Sequence, residues 1–203
     1  MGIDINGIVE YREDGVWHGL ISTSVLGRNY DAFGCLFGVK NYANFTPLAA
    51  DRGIPTDASA EIKIQMEDPD HSDGIENGVF FGHSWIGYWE VKAIDWDAKA
   101  DAPDSRVHCY RRDEAGNLVM ESKSAWSRPF AEHVGQSLIE GMLGARTWDE
   151  GQEWEIDGKV YRSERMTVRQ VVSNEWVTLF QMMGTLAALF GDDNVRLIVW
   201  FDF

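Results

Sequence analysis

Cysteine is nearly absent from this sequence: Cys35 and Cys109 are the only two in 203 residues. Two thiols cannot make the cross-link framework of a small secreted scaffold, and they read as free thiols of a reducing compartment. Long apolar runs are missing too. The longest, Leu179 to Phe190, is interrupted by Gln181 and is too short to span a bilayer. The opening Met1-Gly2-Ile3-Asp4 has neither the basic nor the apolar region of a signal peptide. These absences together lead to the expectation of a cytoplasmic protein with no membrane contact. Positive charge is scarce, with 18 Lys and Arg against 33 Asp and Glu, a net −15. Affinity for nucleic acid rests on cations that neutralise phosphates, so a nucleic-acid partner is not expected. Residues 51–104 hold 13 acids and 4 bases, so this one stretch supplies −9 of the −15. Solubility, docking of a basic partner and mimicry of nucleic acid are the ordinary uses of such a surface.

What the chain does have is material for a core. It is 44% hydrophobic and carries nine Trp, which fits one folded domain across residues 1–203. Residues 3–11 alternate as a strand, Glu13-Asp14-Gly15 signals a turn, and Val16 to Thr23 returns as the second half of a hairpin. Tyr30, Phe33, Leu36 and Phe37 fall at helical spacing behind an Asn29 cap and ahead of Gly38. Residues 44–57 read as a loop, Ser59 as the start of a helix to Met66, and the acidic stretch 67–78 as solvated loop. The aromatic spacing from Trp85 to Trp96 predicts a short helix, and residues 97–105 an exposed linker. Hairpins are predicted over 107–122 and, around Asp157-Gly158, over 154–161. Helices are predicted from Ala131 to Leu143, from Thr167 to Val172, and from a Ser173 cap to Phe190. Val195 to Phe201 is a nearly continuous apolar run, the mark of a strand covered on both faces. Strands at both ends with helices between them predict an α+β fold. Its mixed or antiparallel sheet should contain both terminal strands and pack against several helices.

Several polar residues conflict with their local setting. Asp4 lies between Ile3 and Ile5, while Arg196 and Asp202 bracket the apolar run of the last strand. If the two end strands are neighbours, the three converge as a charged cluster, with Arg196 and Asp202 as a structural ion pair. Arg28-Asn29-Tyr30 stands at a helix start, with Arg52-Gly53 in the next loop. Such an arrangement suits a phosphate or carboxylate, or else ties down loops. His83, beside Ser84 and Trp85, has the chemistry of a general base or ligand contact. His18, His71, His108 and His133 lack metal-ligand spacing, and residues 68–73 lack the glycine and glutamate of a calcium loop. No metal or cofactor is expected on that basis. Cys35, on an apolar helix face, reads as a small core residue.

The motifs Met1-Gly2-x-Asp4-Ile5, Arg28-Asn29-Tyr30-Asp31-x-Phe33 and Arg52-Gly53-Ile54-Pro55-x-Asp57-x-Ser59 resemble those of a family of uncharacterised phage and prophage proteins. So do His83-Ser84-Trp85 and Val195-Arg196-x-x-x-Trp200-Phe201-Asp202. Residues 100–165 carry none of these motifs and read as an elaboration or subdomain. That family often has His at position 6, where this chain has Asn6, so a metal site built on that histidine is not expected here. The resemblance implies an accessory, counter-defence role with no settled activity. The motif residues would then line a pocket for a small anionic, nucleotide-like ligand: Arg28, Asn29, Tyr30, Arg52, Asp57, His83, Ser84 and Trp85. Sequestration without turnover is the leading expectation, because no nucleophile–base pair is recognisable. The alternatives are a hydrolase using His83 with Asp4 or Asp202, and an acidic protein-interaction or nucleic-acid-mimic inhibitor. Assembly as a homo-oligomer is compatible with all three.

Overall fold

The computed structural model describes residues 2–22, 26–124, 127–137, 148–172 and 174–202. Its first sheet joins the two ends of the chain. Strand β1 (Asp4–Glu13) pairs with β2 (Val16–Ser22) on one side and with β8 (Val195–Asp202) on the other. Strand β3 (Phe81–Gly87) closes the order β2-β1-β8-β3, and all three pairings are antiparallel. The fold is α+β, with both terminal strands in one sheet, as the sequence pattern predicts.

The burial of β8 explains its run of apolar residues. Leu197, Val199 and Phe201 point to one face and Ile198 and Trp200 to the other. On the first face lie helix α1 (Tyr30–Phe37) and a long helix, Glu175–Phe190, which is α7 in chain order. Phe33, Leu36, Trp176, Leu179 and Met183 form the main core there. On the second face, helix α2 (Ala60–Glu67) supplies Ile62, fully buried with Ala58 beside Ile198 and Trp200. Helices on both faces account for the apolar run Leu197–Phe201, and water removed from these side chains drives the assembly.

Local signals act as expected at several points. Asn29 Oδ1 accepts from the Ala32 amide at 3.1 Å, and Gly38, in the left-handed region at φ 80°, ends α1. Asp14-Gly15 and Asp157-Gly158 both take positive φ, as tight hairpin turns require. Two expectations fail. Residues 69–76 form a helix, α3 (Pro69–Glu76), rather than a loop: Asp68 caps it and Pro69 opens it, which offsets the acidic composition. The stretch from Trp85 is not all helix. It begins inside strand β3, and only α4 (Tyr88–Lys92) is helical.

Residues 107–162 build a second antiparallel sheet of order β5-β4-β7-β6. Its strands are β4 (Val107–Arg112), β5 (Leu118–Ser124), β6 (Glu153–Ile156) and β7 (Lys159–Arg162). Helix α5 (Arg128–His133) packs Phe130 against Tyr161, Trp148 and Trp154. The helix expected over 131–143 is present only at 131–133, as the end of α5; residues 134–137 are not helical, and those from 138 to 143 lie outside the described ones, as does the Ser173 cap. Helix α6 (Val168–Val171) returns the chain to the first core. No described helix is long and apolar enough to cross a membrane.

Charge, rather than apolar contact, ties the second sheet to α1. Arg106 bonds Asp31 of α1 and, at 2.7 Å, Asp104; Lys123 Nζ reaches Asp31 at 2.7 Å. Fully buried His108 stands between Asp104 at 3.1 Å and Glu164 at 3.0 Å. Burial alone would raise the Asp104 carboxyl, but the bonds from His108 and Arg106 outweigh it and hold the group down at about 2. Its ordinary value is 3.8. The stabilisation is thus complete above pH ~4 and is lost as the pH falls toward ~2. Asp104→Asn should cost about 2 kcal/mol at neutral pH. Its urea midpoint should also change less than that of the parent protein between pH 4 and 2, a difference that denaturant titrations at stepped pH will read.

Candidate functional site

The motif residues fall into four groups around the first sheet. At the open end of β1 and β8, Asp4 lies directly opposite Asp202, so the two carboxylates share a face. Arg28 answers this charge through a two-pronged bond to Asp4, Nε at 2.6 Å and Nη2 at 2.7 Å. The bond to Arg28 leads the effects that hold the Asp4 carboxyl below the usual carboxylate range. Asn6 donates to Asp202 at 3.3 Å, and the Tyr30 hydroxyl accepts from the Ile3 amide at 2.9 Å. Asn29 is committed to capping α1 and to the Val171 carbonyl at 3.0 Å. The expected convergence of Asp4 and Asp202 is present; the pairing of Asp202 with Arg196 is not.

Arg196 lies six residues earlier on β8, deep in the sheet, and pairs elsewhere. Its Nε donates to Glu10 at 2.8 Å and its Nη1 to Asp57 at 2.9 Å, and its guanidinium lies 3.8 Å from the centre of the Trp17 ring. Trp17 Nε1 in turn donates to Asp57 at 2.9 Å, and the other oxygen of Glu10 takes the Ser59 amide at 2.7 Å, at the start of α2. Asp57 is therefore occupied as a structural partner.

The third group locks the loop before α2 onto β3. Arg52 spans both oxygens of Glu90 at 2.7 Å each, and reaches the carbonyls of Leu48 at 2.8 Å and Trp85 at 3.2 Å. Its guanidinium also stacks 5.0 Å from the centre of the Trp85 ring. Ser84 bonds the Ala49 carbonyl and accepts from the Arg52 amide at 3.3 Å, while Gly53 N donates to the His83 carbonyl at 3.0 Å. Both motif arginines thus hold protein carboxylates.

The fourth group went unnoticed in the sequence. His71, from α3, and His83, from β3, meet with their Nε2 atoms 3.3 Å apart. His71 is stacked on Phe80 at 4.3 Å and edge-on to Trp200 at 5.5 Å; its Nδ1 is buried with no partner among the described residues. Burial pushes both imidazoles below the ordinary histidine range. Asp68 opposes this at His71, and His71 reinforces it at His83. Cys35 is buried in the main core, its thiol pushed up to about 12 mainly by burial, so it is no nucleophile.

Between the first and third groups opens a cleft of about 420 Å³. Ile3, Phe37, Val39 and Phe81 make its apolar walls, and Lys40 and Asp51 stand at its rim. Neither rim side chain has a hydrogen bond or ion pair among the described residues. Gly38, Lys40, Asp51 and Gly82, all lining it, have φ between 52° and 80°. A lysine there is unusual, since a Cβ makes that conformation strained, and such strain persists where the surroundings impose it. At Gly82 a Cβ would lie 3.0 Å from the Phe201 ring. Sequence reasoning passed over Lys40 and Asp51 because no motif marks a residue's φ.

Comparison with protein-family models, with curated proteins and with solved structures found no match.

The Arg196 cluster predicts unequal losses. Glu10 is fully buried, whereas the Asp57 side chain is 60% exposed. Glu10→Gln leaves a buried charge half-answered and should cost roughly 3 kcal/mol in urea unfolding. Asp57→Asn should cost about 1 kcal/mol or less, because solvent screens that pair.

Proposed function

We propose that this protein binds and sequesters a small anionic, nucleotide-like molecule in the cleft between α1, the loop after it and β3. The observation that carries this reading is the pairing of apolar aromatic walls with two unpartnered rim charges of opposite sign. Half-buried Phe81 offers its ring to a base, Lys40 offers an ammonium to a phosphate, and Asp51 accepts from a hydroxyl or amine, while Phe37 contributes an apolar floor from the core. The volume suits a ligand of that size. The motif residues then act one step back. Arg28 and Tyr30 fix the strand end that carries Ile3, and Arg52 and Ser84 fix the loop and strand that carry Asp51 and Gly82. The motif resemblance to phage and prophage proteins fits a counter-defence role, in which holding a host signal molecule is enough and turnover is unnecessary.

A hydrolase reading has one observation in its favour: His83 is half-buried beside a second imidazole, on the sheet face that also carries Asp202. The two readings differ in what becomes of the ligand. Protein incubated with a mixture of cellular nucleotides and then denatured should release its ligand intact; new products that disappear in His83→Ala would establish the hydrolase instead. Lys40→Ala should weaken binding by about 10- to 100-fold, the loss of one charge-assisted hydrogen bond. Phe81→Ala should weaken it by about 10-fold. Calorimetry showing unchanged affinity in both variants would place the ligand elsewhere.

A further inference from the structure

The His71–His83 pair lies outside that cleft and has no part in the sequestration reading. Its Nε2 atoms are 3.3 Å apart, and the ring planes stand at 80° with centres 5.6 Å apart. Two interactions bring imidazole nitrogens face to face. An N–H···N bond is ordinarily centred near ~2.9–3.0 Å, so this separation is at its long end. A tetrahedral ion held at ~2.0–2.1 Å from each nitrogen sets the two about 3.3–3.4 Å apart, where this pair sits. We propose that His71 and His83 form a binding site for a divalent transition-metal ion of the zinc, copper or nickel class, held by the two Nε2 atoms.

Both donors are fixed before any ion arrives. His71 is clamped between Phe80 and Trp200. His83 is set in β3, with its carbonyl tied to Gly53 N at 3.0 Å. Imidazole suits these metals over calcium or magnesium, which take oxygen donors. The surroundings favour a cation as well: Asp68 acts electrostatically on His71, and the carboxylates of Asp4 and Asp202 lie on the same sheet face as Trp200. Among the described residues no third His, Cys, Asp or Glu completes a ligand set. The remaining positions therefore fall to water or to an added ligand, on the side where His83 is only half-buried. An ion bound this way has open positions, as catalytic sites do, and binds more weakly than a closed four-ligand site. One feature weakens it further. A ring bound through Nε2 carries its proton on Nδ1, and the Nδ1 of His71 is buried without an acceptor.

The experiment uses the full chain stripped with a chelator and then titrated with Zn²⁺ and Cu²⁺. One ion per chain is expected, with affinity at least 10-fold lower in His71→Gln and in His83→Gln. The Cu²⁺ complex should show electron-paramagnetic hyperfine structure from two imidazole nitrogens. Spectra from the unsubstituted protein decide the matter even if a variant fails to fold. Absence of stoichiometric binding, binding unchanged in both variants, or a Cu²⁺ spectrum lacking two-imidazole coupling would each overturn the site. Since nucleotide release is read without metal, failure here leaves the cleft untouched, and the reverse holds.

Discussion

Arg196 lies near the start of β8, the central strand of the first sheet, where β1 and β3 flank it and little water reaches it. A guanidinium in that place is tolerable only if its charge is met by groups that are buried with it. Glu10 meets it from β1, and the same carboxylate receives the amide of Ser59, the cap of α2, so the register of two strands and the seating of a helix depend on one anion. Trp17 covers the flat side of the guanidinium and hands its own N–H to Asp57, which brings β2 and the loop before α2 into the same arrangement. One nitrogen, Nη2, still has no partner among the described residues. The polar cluster contributes less to net stability than to uniqueness: a sheet slipped by one residue would leave the charge facing apolar side chains.

Those elements whose signals are local were legible in the sequence. The Asn29 cap, the two Asp-Gly turns and the buried final strand each follow from a few adjacent residues. The third strand was not. Phe81 and Ser84 are separated by a register shift, and the strand gives way at Gly87 to a short helix, so Trp85 and Trp89 fall at a helical interval without sharing a helix. Helix α3 was hidden by its acidity, although its cap and its opening proline were in view. In the site, Arg28 and Arg52 were legible as residues with work to do. Their partners were not, because the bond from Arg52 to Glu90 crosses 38 positions and no spacing rule reaches that far. Lys40, Asp51 and the histidine pair share this limit: they are defined by where backbone turns and elements cross.

The picture of function changes accordingly. Residues that stand out as polar in apolar settings prove to be mostly engaged with one another. The groups left over for an outside molecule are plain residues in loops, a lysine and an aspartate beside two phenylalanines. Strongly marked residues hold the walls, and unmarked ones face the opening.

The pairing of the two end strands also fixes the order of assembly. Strand β1 is translated first, yet its long partner β8 comes 184 or more residues later by the register Tyr11↔Val195 to Asp4↔Asp202, so during synthesis the hairpin β1–β2 waits with one edge open. The second sheet has no such wait, since its strands all lie within residues 107–162. On a ribosome it can close while the first is still incomplete, and the ion pairs on Asp31 then offer the unfinished half a solid surface to settle against.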